Sequence, residues 1–203
     1  MPNGGGDIDK ALGITKKLEE SKMEKIIKTV TIEGVNFEFI EKPKTIYAGF
    51  HIVAPDIESE PDVINTYDRF VEGHTQIIDS VMPECMICLS IAYGEWNKTK
   101  DIIREFMHGK ETTNIHQPEG ITVLEMPSCI FIRVKATDEA WTLTKKITGE
   151  DNPQWHMAPL FGLIETLFCT PEYGFTDGSE GNHATEYYHF DGTQYAAIPV
   201  SRV

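Results

Sequence analysis

"GITVLEMPSCIFIRVKA" (Gly120–Ala136) is a β-rich apolar run broken by Pro127, and it restarts an order of elements already seen once in the chain. The earlier round opens with "TIYAGFHIVA" (Thr45–Ala54), which ends at Pro55. "PDVINTYDRFVEGHTQIIDSVM" follows, with Val63, Tyr67, Phe70, Val71, His74 and Ile78 at helical spacing and Pro61 suited to a first turn. Two strands come next, "MICLSIAY" and "IREFMHGKETTNI", parted by the polar turn "GEWNKTKD". After Gly120–Ala136 the pattern returns. A mostly helical stretch from about Asp138 to Phe168 is broken by "TGEDNPQ", the loop "TPEYGFTDGSEGNH" follows, and "ATEYYHF" and "TQYAAIPV" end the chain as strands.

Both halves, about 45–115 and 120–203, thus read strand, helix, strand, strand. The repeat is one of elements, not of letters. Two such β-α-β-β units predict an α+β fold, an antiparallel sheet with helices packed on one side. A groove is expected where the halves meet, a preferred place for small-molecule sites. Ahead of them, residues 1–6 carry three consecutive glycines and read as disordered. Asp7 to about Lys28 reads as a weakly amphipathic Lys/Glu-rich helix with Ile8, Leu12, Leu18 and Ile26 apolar.

The chain has 203 residues and a formal net charge of -14, which repels phosphate backbones. One N-terminal helix cannot make a helix-turn-helix, so direct DNA binding is not expected. No run approaches the ~20 apolar residues of a membrane helix, and "MPNGGGDIDK" lacks the pattern of a secretory signal. Cys85, Cys88, Cys129 and Cys169 sit in hydrophobic surroundings, as free thiols of a reducing compartment do, so a cytoplasmic location is expected. "CMIC" (Cys85–Cys88) has redox or zinc spacing, but on a strand its two thiols face opposite ways. The seven histidines form no ligand cluster, and no phosphate-binding glycine loop or nucleophile elbow occurs. Neither a metal nor another cofactor is expected.

"ATEYYHF" (Ala184–Phe190) carries the candidate site. Strand alternation puts Glu186, Tyr188 and Phe190 on one face, and Thr185, Tyr187 and His189 on the other. A carboxylate sharing a face with two rings offers a cation an ion pair, plus ring attraction of ~0.5–2 kcal/mol per good contact. Burial would demand a hydrogen bond to Glu186 or raise its pKa, and a raised pKa would also suit a general acid or base. Tyr93, at the end of "SIAY", and Trp155, in "NPQWHM", are candidates for the opposite wall and the groove mouth.

The opening strand "KTIYAGFHIVAP", the run Gly120–Ala136 after its Pro-Glu-Gly turn, "ATEYYHF" and the terminal "YAAIPV" together resemble the GyrI-like small-molecule-binding domain. That domain is also the effector-binding part of AraC- and MerR-type regulators. The resemblance covers about residues 24–203 and leaves 1–23 as an extension. It implies a duplicated β-α-β-β fold and a groove that binds hydrophobic, often cationic compounds, with an acidic residue on a late strand receiving the charge. Glu186 matches that residue, with Tyr188 beside it. Where the family often has a Trp on the first helix, this chain has Tyr67, and Tyr195 stands near a position that is often Glu.

The resemblance leaves three functions open. The first is a stand-alone binder that senses or sequesters xenobiotics, in the manner of multidrug-binding regulators. The second is a cofactor-free hydrolase of reactive compounds such as cyclopropane-bearing alkylators, in which Glu186 activates water and Tyr188 donates a proton. The third is a modulator of a protein partner, gyrase being the example the family name suggests.

Overall fold

The computed structural model describes residues 24–54, 60–92, 104–154 and 156–203. The expected helix over Asp7–Lys28 lies outside these residues except at its end, which is a strand. β1 (Lys25–Ile32) pairs antiparallel with β2 (Val35–Lys42). The β-branched run Thr29–Ile32 favours a strand, and Glu33 and Gly34, both at positive φ, close a two-residue hairpin. Exposed Lys25 and Lys28, three residues apart as on one helix face, give this segment the look of a solvated helix.

The first unit then follows as β3 (Thr45–Ala54), α1 (Glu60–Gly73), β4 (Cys85–Ala92) and β5 (Arg104–Thr112). The second is β6 (Thr122–Met126) and β7 (Cys129–Lys135), α2 (Asp138–Thr148) and α3 (Ala158–Phe168), then β8 (Phe175–Asp177), β9 (Ala184–His189) and β10 (Gln194–Arg202). Thr137 caps α2 by accepting from the Ala140 N–H, and Gly149 at φ 81° ends it. β8 lies inside the stretch expected to be pure loop.

All the strands form one ten-stranded antiparallel sheet, ordered β1-β2-β7-β10-β9-β4-β5-β3-β6, with β8 also on β10. The halves meet at its centre, where β4 pairs β9 from Cys85↔His189 to Ser90↔Ala184. They meet again at the flanks. β2 does not turn back on β3, nor β6 on β7. Instead β2 pairs β7 and β3 pairs β6. Partner numbers add to the same total from Phe37↔Val134 to Gly49↔Thr122, so one register runs past Pro43 and Pro127. Two long strands, each kinked at a proline, cross from half to half.

This crossing curls the sheet. Tyr47 of β3 and Phe131 of β7 stand at opposite ends of the six-strand run, yet share one buried cluster with Ile87 and Tyr187 of its centre. Gly49 and Gly109, paired across β3 and β5, permit the bend, since a Cβ on Gly109 would stand 2.3 Å from the Ala48 carbonyl oxygen. The other face carries the helices. α2 and α3 cover Phe37, Phe39, Ile132, Val134 and Ile198, while Phe70 of α1 packs with Ala48, Phe50 and Met86. Tyr188 touches both helical cores and so stands between them.

Candidate functional site

The register of the sheet assembles the floor between the helices. Phe50 pairs His108, His108 pairs Cys88, Cys88 pairs Glu186, and Glu186 pairs Ala196. These side chains form one row across five strands on the helix-bearing face. Glu186 is only 6% exposed. The Met157 backbone N–H, at the start of α3, donates to its Oε1 over 2.7 Å, and the Tyr188 hydroxyl donates to its Oε2 over 2.5 Å. Among the described residues it has no ion-pair partner.

Burial pushes the Glu186 carboxyl above its ordinary pKa, against the opposing pull of the Tyr188 and Met157 hydrogen bonds. Burial, and then the neighbouring carboxylate, hold the Tyr188 hydroxyl far above the tyrosine range, so it stays protonated. Cys88 is likewise held up by burial and by Glu186, which keeps it a thiol. His108 is 7% exposed, its Nδ1 is buried without a hydrogen-bond partner among the described residues, and burial pushes its pKa down to about 4. Tyr67 of α1 sets its ring edge-to-face with that imidazole at 6.0 Å, and remains 46% exposed.

Glu186 and Tyr188 are therefore brought together as the alternation of β9 required. Phe190 lies one residue past the strand, where the chain turns through Asp191 and Gly192, with Gly192 N–H donating to the His189 carbonyl. It is 51% exposed, against His74 (ring centroids 5.9 Å apart) and under the Lys110 Nζ at 5.7 Å. Tyr93 and Trp155 lie outside the described residues. Tyr195 pairs Tyr187 across β9 and β10 and takes the Arg133 guanidinium at 4.9 Å, on the far side of the sheet from Glu186.

Sequence reasoning missed His108, whose signal was present: it alternates with Phe106 and Lys110 on a strand whose other face, at Met107, is core. It also missed the buried charge beneath the site. Lys42, 4% exposed, donates to Glu111 (2.9 Å) and to the Tyr187 hydroxyl (3.0 Å) within the curl of the sheet. Burial works against that ammonium, but Tyr187, Tyr47 and Glu111 outweigh it and keep the pKa well above the ordinary lysine value. Among the described residues no group of three or more His, Cys, Asp or Glu side chains could hold a metal, and no helix is long and apolar enough to cross a membrane.

No family model matches the chain, and no curated protein matches it. Solved structures do. It aligns with SAV2435 bound to tetraphenylphosphonium at a TM-score of 0.50 and 9% identity, over 81% of this chain and 93% of that one. The integron cassette protein VCH_CASS2 from Vibrio cholerae aligns at 0.49 and 14% identity, over 81% and 95%. The EcmrR C-terminal domain aligns at 0.48 and 15%, over 83% and 99%. The first of these shows a shared fold.

Proposed function

We propose that this protein binds hydrophobic cations in the groove between its helices, with Glu186 as the charge anchor. One observation carries the reading: Glu186 is a buried carboxylate with two hydrogen-bond donors and no cation among the described residues. A buried charge without a counter-charge costs several kcal/mol, and a ligand's positive charge would offset it. Tyr188 holds the carboxylate in one orientation and presents its ring at the same place, while Tyr67 forms a side wall. Phe190 would meet the ligand only at the open end, and Tyr93 and Trp155 are further candidates for its lining. The solved relative with tetraphenylphosphonium bound supports the same ligand chemistry. Sensing or sequestering a xenobiotic cation is the role that such a pocket serves.

The test is a tryptophan-fluorescence titration with tetraphenylphosphonium and flat cationic dyes, with mass spectrometry of the recovered ligands. Saturable binding of unchanged cations, weakened at least tenfold in Glu186→Gln, is the expected result. Chemically altered ligands would instead favour the hydrolytic reading, in which the raised pKa of Glu186 serves a general base. Tyr188 is then a poor proton donor, since its pKa is raised as well.

A further inference from the structure

The floor row holds a second polar group that the cation reading does not use. His108 lies two strands from Glu186, with Cys88 of β4 between them in direct register with both. Its Nδ1 is buried, makes no hydrogen bond among the described residues, and has the exposed Tyr67 ring beside it. A buried, unsatisfied nitrogen is destabilising, and a polar ligand group would relieve it. Two strand spacings separate it from the carboxylate by roughly 10 Å.

We infer that the ligands of this groove are elongated cations with a hydrogen-bonding group about 10 Å from the positive centre, that group being received by His108. The inference rests on Glu186 as the anchor and adds a second point of recognition. It separates this groove's preferred ligands from compact cations with no polar end. With its pKa near 4 the imidazole is neutral at physiological pH, so it offers one donor and one acceptor nitrogen without repelling a cation. The Cys88 thiol, small and held uncharged, stands in register between the two ends.

Two probes test this: biphenyl-4-trimethylammonium, and the same cation with a 4′-hydroxyl, whose oxygen lies at about the required span from the nitrogen. Each is titrated calorimetrically into wild type, Glu186→Gln and His108→Phe, with thermal melts to confirm folding. The hydroxyl is expected to improve wild-type affinity roughly three- to tenfold. His108→Phe should abolish that gain while binding the unsubstituted cation as wild type does. Glu186→Gln should weaken both probes. No gain from the hydroxyl in wild type, or a gain that survives His108→Phe, would overturn the inference while leaving the anchor intact. Failure of both cations to bind wild type, or equal binding by Glu186→Gln, would overturn the anchor and the inference together. Should His108→Phe fail to fold, His108→Gln replaces it, and the inference then requires the hydroxyl gain to change.

Discussion

The two faces of strand β9 each bury one charge, and they treat it in opposite ways. Tyr187 points into the curl of the sheet, where Lys42 meets Glu111 and a tyrosine hydroxyl and is closed in by aromatic rings. Glu186, one residue earlier, points at the helices and receives two hydrogen bonds but no opposite charge among the described residues. A buried ion with its counter-ion locks a structure; a buried ion without one stores a cost that binding can relieve. Lys42 leaves β2 just before Pro43, where the strands cross, and Glu111 comes from β5, so this pair ties β2, which is paired to β7 of the second unit, to β5 of the first. The carboxylate above it is thus held on a rigid floor, as a precise site requires.

Breaking the paired side should have the largest effect. Lys42→Met leaves Glu111 and Tyr187 without their donor, and unfolding in urea should register a loss of about 3 kcal/mol. A loss under 1 kcal/mol would mean that the crossing does not depend on this pair. Gly109→Ala attacks the same curl through sterics, since the new Cβ meets backbone; a loss of about 1–3 kcal/mol is expected from the same assay.

On the unpaired side, Glu186→Gln should not lower stability. The amide can still accept from Met157, and the desolvation of a carboxylate is removed. The sign with pH follows from the raised pKa. Folded Glu186 keeps its proton to higher pH than the unfolded chain does. At low pH both states are protonated, and Glu186 costs no ionisation energy. As pH climbs past the ordinary carboxylate value the unfolded state ionises first, so stability falls until the folded group has ionised as well. Melting temperatures across this range should fall less with rising pH in Glu186→Gln than in wild type. Identical profiles would remove Glu186 from the account.

The architecture was legible because a β-α-β-β order declares itself through alternation, helical spacing and proline breaks, even at negligible letter identity between halves. Pro127 was visible as an interruption, but not as a crossing: nothing local distinguishes a kinked strand that changes partners from a tight hairpin. β1 was masked by charge, because Lys25, Lys28 and the glutamates around them look the same on an exposed edge strand as on a solvated helix. For the site, Glu186 and Tyr188 followed from period-two alternation on a single strand. Alternation on β5 sets His108 on the face opposite Met107, but its place in one row with Glu186, and the reach of Lys42 to Glu111, depend on register between strands distant in sequence.

The most direct test of the central claim is proton release. Tetraphenylphosphonium is titrated into the protein at about pH 5, near the carboxylate range, in two buffers of different ionisation enthalpy. Binding should discharge a proton from Glu186, so the apparent enthalpy should differ between buffers, and the difference should vanish in Glu186→Gln. Neutral triphenylphosphine oxide should release none. Equal enthalpies in both buffers, with affinity unchanged by Glu186→Gln, would contradict the assignment of Glu186 as the anchor of a cation-binding groove.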